Sequence, residues 1–155
     1  HEDKTKIVNL DNPDDSFDFL GFTFRYGLKR QDKVNPKKTV FYYPSKKYIK
    51  SIRAKLKEVI SKSQHCDLTW LCKEKLNPIL RGWCNYFIHG NSKKEIMKVD
   101  RYCTKTLCIM LKKKHAKHSK GWRDHPPSFF YETTHKLYYM SRAFVQHKRI
   151  KGGYI

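Results

Sequence analysis

The acidic and imidazole side chains of this 155-residue chain are the residues whose spacing could support catalysis or hold a metal ion. Asp14 and Asp15 are adjacent, but they lie in NPDDS, a cluster of turn-forming residues, so we interpret them as a turn. His115 and His118 have no carboxylate or thiol near them in KKKHAKHSK, and we count them with the basic residues around them. The sequence therefore predicts no metal site and no catalytic pair.

The five cysteines form no C-x-x-C pair, which argues against a zinc site. Two of them fall within a helical periodicity and one lies among aromatic residues. These positions predict small core residues in a reducing compartment. The five are Cys66, Cys72, Cys84, Cys103 and Cys108.

Lysine and arginine outnumber aspartate and glutamate by 34 to 14, and the net charge of +20 attracts polyanions over a Debye length of about 10 Å. The excess is concentrated, because residues 1–44 have a net charge of +1, residues 45–118 of +14 and residues 119–155 of +5. Aromatic residues interleave with the central cations. Rings that stack on bases beside cations that neutralise phosphates are typical of nucleic-acid binding. The alternative is a solvated basic surface without a partner.

Apolar alternation predicts three strands in the first 44 residues, at KTKIVNL, FDFLGFTFRYGLKR and TVFYYP. Together they would form a small antiparallel sheet. A sheet of this size cannot cover Phe17 and Phe19 by itself, so we expect it to pack against something larger.

Three helices should follow, because apolar residues then recur at steps of three and four. Ser45 would cap the first helix and Asp67 the second, which continues to a C-cap at Gly90. Pro78 would either kink the second helix or open a separate helix capped by Asn77.

The third helix would begin at a capping box formed by Ser92 and Glu95 and continue to about Lys117, which completes a three-helix bundle. From residue 119 the chain is aromatic and loses the helical period; strands, extended arms or one short helix around 134–144 are all compatible with it. The predicted fold class is α+β, mainly α, with a small antiparallel sheet, a three-helix bundle and an irregular C-terminal segment.

Gly82 lies in the middle of the second helix, where it would let a neighbouring backbone approach. Trp83 and Phe87 share a face four residues apart and would fill the core. A kinked but otherwise plain helix crossing is the alternative.

The segment LNPILRGWCNYF, residues 76–87, closely resembles the maturase-specific motif of group II intron reverse transcriptases, which lies in the thumb, also called domain X. FDFLGFTFR resembles the strand that closes the palm of these enzymes, and KTKIV looks like the segment before it. AFVQHKRIKGG is similar to the segment that follows the thumb. The four matches occur in family order. The motif matches at Asn77, Leu80, Arg81, Gly82, Trp83, Asn85 and Tyr86.

The resemblance implies the end of a palm at 1–44, a thumb at 45–118, and at 119–155 an extension leading toward a missing DNA-binding and endonuclease region. The metal-binding aspartates of the polymerase, in a Tyr-x-Asp-Asp turn and an earlier strand, are not present in the sequence. We therefore expect a non-enzymatic fragment or reduced relative of a probable RNA-directed DNA polymerase. It should need no cofactor of its own, whereas Mg²⁺ is expected for the parent.

By resemblance, the domain would bind group II intron RNA to assist splicing and would hold the RNA/DNA template-primer duplex during reverse transcription. The missing finger-palm domain of the same protein would be a further partner. The alternative is a structural module that docks its Phe-rich sheet on the palm, with an incidental basic surface. No run approaches about 18 apolar residues and HEDKTKIVNL lacks a signal pattern, so we expect no membrane partner and an intracellular location, cytoplasmic or organellar.

A helical bundle would read an A-form duplex through its phosphates and 2′-hydroxyls, so the clustered cations are the first candidates for contact. With three residues of the motif, the predicted contacts are Lys46, Lys47, Lys50, Arg53, Arg81, Asn85, Tyr86, Lys112, Lys113, Lys114, Lys117, Lys120 and Arg123. The resemblance also implies a strand near the primer end, where Gly21 would admit the primer backbone; a role in the core is the alternative for its phenylalanines. That strand is Phe19, Leu20, Gly21 and Phe22.

Overall fold

The computed structural model of the chain describes residues 15–28, 38–115 and 121–152. Within these ranges the α+β, mainly α class is confirmed. The elements in chain order are β1 (Ser16–Phe19), β2 (Phe22–Leu28), β3 (Lys38–Pro44), α1 (Lys46–Lys62), α2 (Leu68–Trp70), a π-helical segment (Leu71–Leu76), α3 (Asn77–Phe87), α4 (Lys93–Lys114), a 3-10 turn (Gly121–Arg123), α5 (Pro127–Glu132) and α6 (Met140–Gly152).

The stretch FDFLGFTFRYGLKR, expected as a single strand, contains a hairpin. β1 pairs antiparallel with β2, and Phe19 opposes Phe22 across a turn at Leu20 and Gly21. Both turn residues have positive φ, 46° and 82°, which matches the right-handed twist of hairpin strands. The sequence hides this turn because a leucine rarely adopts a left-handed backbone. β3 pairs with β2 as the third strand, and the strand expected at KTKIVNL lies outside the described residues.

α2, the π-helical segment and α3 follow one another without a break, so Pro78 does not open a separate helix. Asn77 is itself helical, with φ −58° and ψ −44°, and its N–H donates to the carbonyl of Cys72, five residues earlier. Of the two alternatives for Pro78, the separate helix capped by Asn77 is therefore excluded. A wide π turn just before the proline relieves the clash between its ring and the carbonyl four residues back.

Of the N-caps predicted at Ser45, Asp67 and Ser92, only that of Asp67 forms as a side-chain hydrogen bond. The carboxylate of Asp67 accepts from the backbone N–H of Trp70 at 3.0 Å. Ser45 and Ser92 occupy the N-cap positions of α1 and α4, but neither makes a side-chain cap bond. Glu95 pairs instead with Lys98 at 3.5 Å, so the predicted capping box is absent from α4.

α1 and α4 run parallel and in register, and they pack directly against each other. Three contacts join the α1 and α4 segments: Asn91 N–H donates to the Tyr42 carbonyl at 2.7 Å, Arg53 lies 5.2 Å from the Tyr102 ring centroid, and Lys114 Nζ donates to the Cys66 carbonyl at 3.2 Å. The partners differ in residue number by 49, 49 and 48. Because this difference is nearly constant, α1 and α4 stay aligned side by side over their whole length.

The C-terminal segment is helical rather than irregular, which corrects the sequence-based expectation. α5 and α6 both contribute to the main core, through Phe130, Met140 and Phe144, which are buried with the leucines of the bundle. α6 packs on α3 and α4, on the side away from α1. The segment has no clear helical period because its elements are short and its aromatic residues fill the core from several directions.

The two glycines expected to shape the second helix act differently from the prediction. Gly82 is exposed, and a Cβ built on it would meet nothing within 4 Å, so no backbone approaches it. Gly90 does not end a helix with positive φ; a Cβ there would lie 2.5 Å from the carbonyl oxygen of Tyr42. The close approach therefore occurs at Gly90, where β3 passes the start of α4.

Trp83 lies against Phe87, with ring centroids 4.7 Å apart, and Phe87 is fully buried, as the sequence predicts. None of the helices in the described ranges combines the length and the apolar character needed to cross a bilayer.

Gly82→Ala and Gly90→Ala should move the free energy of unfolding in opposite directions. Alanine at 82 should raise it by about 0.5–1 kcal/mol, because glycine is costly within an exposed helix. Alanine at 90 should lower it by roughly 1–3 kcal/mol, because the new methyl overlaps the Tyr42 carbonyl. Urea unfolding of the two variants beside the parent chain measures both changes, and a loss of stability in both variants would contradict this account of Gly82.

Candidate nucleic-acid interface

Four cations of α1 lie along one side of the helix, because their spacings of four, three and four residues match the helical repeat. They are Lys46, Lys50, Arg53 and Lys57. The guanidinium of Arg53 lies over the Tyr102 ring of α4, which orients this row toward α4. We call the surface formed by these four residues and Tyr102 the basic groove. The stem of Arg53 is partly buried there, whereas the three lysines are exposed.

A second line of cations runs along the outer face of α4, at spacings of four, three, four and seven residues. It consists of Lys94, Lys98, Arg101, Lys105 and Lys112, all exposed, and we call it the α4 row. The buried residues of α4, such as Ile96 and Cys103, lie on the opposite side of the helix. A helix of 22 residues is about 33 Å long, so the row can follow a nucleic-acid backbone over several phosphates.

Most of the α4 row was missed in the sequence analysis, as was Lys57. The signal was present, since Lys94, Lys98, Arg101 and Lys105 repeat at the same three- and four-residue steps as the core positions. Applying the helical period to the cations as well as to the apolar residues would have found them.

Acidic residues neutralise little of this surface. α4 contains eight lysines and arginines but only two acids, of which Asp100 is buried. Glu95 pairs with Lys98 within the α4 row, and on α1 Glu58 pairs with Lys62 at 2.6 Å. The ammonium of Lys62 keeps the pKa of the exposed Glu58 below its usual value. We call the basic groove and the α4 row together the positive face, because few acidic side chains offset their charge.

The structure brings some of the predicted lysine contacts together and separates others. Lys46, Lys50 and Arg53 share the basic groove, whereas Lys47 is exposed on α1 outside that row. Lys112 ends the α4 row. Lys113 is exposed beside it.

The remaining predicted cations lie near the C-terminal end of α4. Lys114 donates from its ammonium group to the Cys66 carbonyl, in the loop that follows α1. Arg123 is exposed in the 3-10 turn, which packs against α4. Lys117 and Lys120 lie outside the described residues, so their contacts stay a prediction.

The three contact residues predicted from the motif face different parts of the molecule. The guanidinium of Arg81 lies 5.3 Å from the ring centroid of Tyr138, in the C-terminal segment. Tyr86 donates its hydroxyl hydrogen to the Leu20 carbonyl at 2.7 Å, at the hairpin turn. Asn85 is exposed between them in sequence. α3 thus fixes two neighbouring segments, and its motif residues do not join the positive face of α1 and α4.

The predicted primer-end residues form a hairpin tip rather than a strand interior. Phe19 and Leu20 are 58% and 67% exposed, and we call these two residues the hairpin tip. Phe22 points the other way and packs on Phe87, with ring centroids 4.9 Å apart. A Cβ on Gly21 would lie 3.0 Å from the Tyr48 ring, so Tyr48 packs closely against this side of the glycine. The contact of these four residues with a primer stays a prediction.

Asp100 joins α4 to the start of α6. Its carboxylate accepts hydrogen bonds from the backbone N–H of Ser141 at 2.9 Å, from the Ser141 hydroxyl at 2.5 Å and from the Met140 N–H at 3.3 Å. Burial raises the pKa of Asp100 to about 6, although these hydrogen bonds act to lower it. The carboxyl group therefore caps α6 at a cost in desolvation.

Burial also raises the pKa of Cys84 to about 11, so its thiol stays protonated and donates weakly to the Met140 carbonyl at 3.8 Å. Cys72, Cys84, Cys103 and Cys108 are buried, as the sequence predicts for core residues, and Cys66 is partly exposed. Within residues 15–28, 38–115 and 121–152, no group of three histidine, cysteine or acidic side chains could hold a metal ion.

Comparison with known proteins gives one family. The group II intron maturase-specific domain matches residues 49–126, which include most of α1, all of α3 and α4, and the segment LNPILRGWCNYF. No curated protein and no solved structure matches the chain. The matched region contains most of the basic groove and the whole α4 row.

Asp100→Asn should remove a pH dependence from the free energy of unfolding. The folded-state pKa lies above the ordinary value of 3.8, so the stabilisation by protonated Asp100 is complete below that pH and lost as the pH rises through about 6. The loss is roughly 3 kcal/mol at 1.4 kcal/mol per pKa unit. Urea unfolding of the parent and the variant at pH 4, 5, 6 and 7 measures the difference between their free energies of unfolding. The excess stability of the parent should become smaller as the pH rises. A constant difference would contradict the raised pKa.

Proposed function

The chain belongs to the group II intron maturase-specific domain family, and from this we propose that it binds folded intron RNA and thereby assists splicing. In this proposal the RNA carries out the splicing chemistry, and the protein holds the RNA in its active arrangement. The positive face formed by the basic groove and the α4 row is the observation that supports it most directly.

The shape of that face suits a duplex or a compact RNA. Its two rows are straight and parallel, because α1 and α4 keep one register from Tyr42 to Lys114. Lysine and arginine side chains on two such helices can reach successive phosphates and 2′-hydroxyls without entering the deep major groove of an A-form duplex. Recognition would then depend on shape and charge more than on base sequence.

We further propose that the same face holds an RNA/DNA template-primer duplex when the domain acts as the thumb of a reverse transcriptase. In the parent protein, the finger-palm part would bind Mg²⁺ and catalyse polymerisation. The residues of this chain would only hold the duplex. Splicing and reverse transcription both place the protein in an intracellular ribonucleoprotein particle, in the cytoplasm or an organelle.

The binding of a structured RNA should weaken steeply with salt. About six phosphate contacts give a slope of roughly −4 to −5 for the logarithm of the association constant against the logarithm of the salt concentration. Replacing Arg101 and Lys105 by glutamine removes two contacts and should make the slope less steep by about one to two units. Fluorescence anisotropy with a labelled intron fragment, from 50 to 300 mM KCl, measures both slopes.

Arg149→Gln with Lys151→Gln is the matched control, since it removes the same charge from exposed positions of α6. The control should keep the parent slope. Equal losses in the two double variants would mean that net charge acts without a defined face, and binding that ignores salt would reject the proposal.

A second candidate function is docking to the finger-palm part of the same protein, favoured by the exposed hairpin tip. The tip is held from behind, because the Gly21 carbonyl accepts from Ser45 N–H at 2.8 Å and the Leu20 carbonyl from Tyr86. Leu20 keeps a left-handed φ of 46° and an exposed apolar side chain. Both features are costly for the isolated domain, and burial of the tip against a partner would offset them.

Leu20→Asn separates this docking role from folding. Asparagine tolerates the left-handed backbone, so the variant should be as stable as the parent or more stable by up to about 1 kcal/mol. It should bind a separately produced finger-palm fragment at least fivefold more weakly. Isothermal calorimetry measures the affinity and urea unfolding the stability.

Val40→Thr is the control for that experiment. Val40 is also exposed and apolar, but it pairs with Tyr26, toward the other end of the sheet from the tip. This variant should bind the fragment normally, and unchanged binding by Leu20→Asn would remove the tip from the interface.

A further inference from the structure

An open cleft of about 540 Å³ lies between α3, the end of α5 and α6, apart from the basic groove. This volume falls within the roughly 300–1,000 Å³ typical of sites for small ligands. Asn77 and Arg81 line one side, Arg142 and Gln146 the other, and residues 136–139 form the floor. We call it the arginine–tyrosine cleft.

The cleft contains stacked planar groups. The rings of Tyr131 and Tyr139 stack with centroids 4.2 Å apart and planes 14° apart. The guanidinium of Arg142 lies 5.8 Å from the Tyr139 centroid, and that of Arg81 lies 5.3 Å from Tyr138. Rings and guanidinium planes are the surfaces on which nucleobases stack.

The floor of the cleft is held by specific hydrogen bonds. The side-chain amide of Asn77 donates to the Lys136 carbonyl at 2.9 Å, and its oxygen accepts from the Tyr138 N–H at 2.6 Å. Lys136 itself has a φ of 44°, a strained value that this clamp maintains. Asp100 fixes the start of α6 and so the position of Arg142. The stacking groups are therefore in place before a ligand arrives.

The charge of the lining favours an anion. Arg81, Lys136 and Arg142 contribute three positive charges, against one negative charge from Glu132. A double helix is too wide and convex to enter such a concave site, whereas a nucleotide that has left its helix presents both a flat base and a phosphate. An acidic peptide would satisfy the charges but would place no flat ring on the exposed tyrosine and guanidinium surfaces of the cleft.

We propose that the arginine–tyrosine cleft binds one unpaired ribonucleotide, with its base on the tyrosine and arginine planes and its phosphate beside Lys136. This extends the proposed RNA binding, because paired RNA would contact α1 and α4 and a bulged or looped-out nucleotide would enter the cleft. The cleft would select RNAs by the position of an unpaired nucleotide. The contacts of α1 and α4 with paired RNA would not contribute to this selection.

The test compares a hairpin RNA that carries one bulged nucleotide with its fully paired counterpart, by fluorescence anisotropy with the complete chain. The parent should bind the bulged RNA about tenfold more tightly, in line with the stacking of a single base. Arg81→Lys with Arg142→Lys keeps the charge but removes both planes. This double variant should lose the preference while keeping its affinity for the paired RNA. Arg25→Lys, on the exposed face of β2, is the control and should keep the preference.

A ribo-trinucleotide, rAAA, separates failure of this proposal from failure of duplex binding. It is too short to span the basic groove and the α4 row, so its binding depends on the cleft. NMR shifts of the Arg81 and Arg142 side-chain N–H signals of the parent chain would support the cleft even for a chain that does not hold duplex RNA. No bulge preference together with no such shifts would overturn it. So would stronger displacement of rAAA by a polyglutamate peptide than by rUUU, which would indicate an acidic peptide.

Discussion

The in-register packing of α1 against α4 is the constraint on which the rest of the structure depends. The two helices are fixed at one end by the backbone pairing of Tyr42 with Asn91 and at the other by Lys114 on the Cys66 carbonyl. Between these points Arg53 lies on Tyr102. Because this alignment buries Leu56 and Leu107 on the inner side, the lysines at the remaining positions must face outward along two parallel rows.

The motif helix serves the fold as much as any surface. From α3, Asn77 holds the C-terminal segment, Arg81 lies on Tyr138 and Tyr86 binds the hairpin turn. α3 thus contacts the hairpin of the sheet on one side and the segment that leads into α6 on the other. A motif that was recognised as a mark of RNA-related function is, in the structure, also the element that positions the arginine–tyrosine cleft and the hairpin tip.

The expectations for Asn77 and Gly90 were wrong for a common reason, which is that each residue contacts a backbone group far away in the sequence. Asn77 forms no cap because two backbone groups near residue 137 bind its amide. Glu95 differs from these, because it completes no capping box and pairs with Lys98 only three residues away in the same helix. Gly90 is required by the Tyr42 carbonyl, a contact 48 residues away in sequence. Local spacing contains no record of such contacts.

The sequence by itself determined the class of the fold, the three main helices, the buried cysteines, the family and the concentration of positive charge in the middle of the chain. These follow from composition and from periods of two and three to four residues, which act over neighbouring positions. Only the tertiary structure decided that Leu20 and Gly21 turn a hairpin, that the C-terminal segment is helical, and that Arg81 and Arg142 meet across one cleft. Those outcomes depend on packing between segments far apart in the chain, where burial of a shared core outweighs local preference.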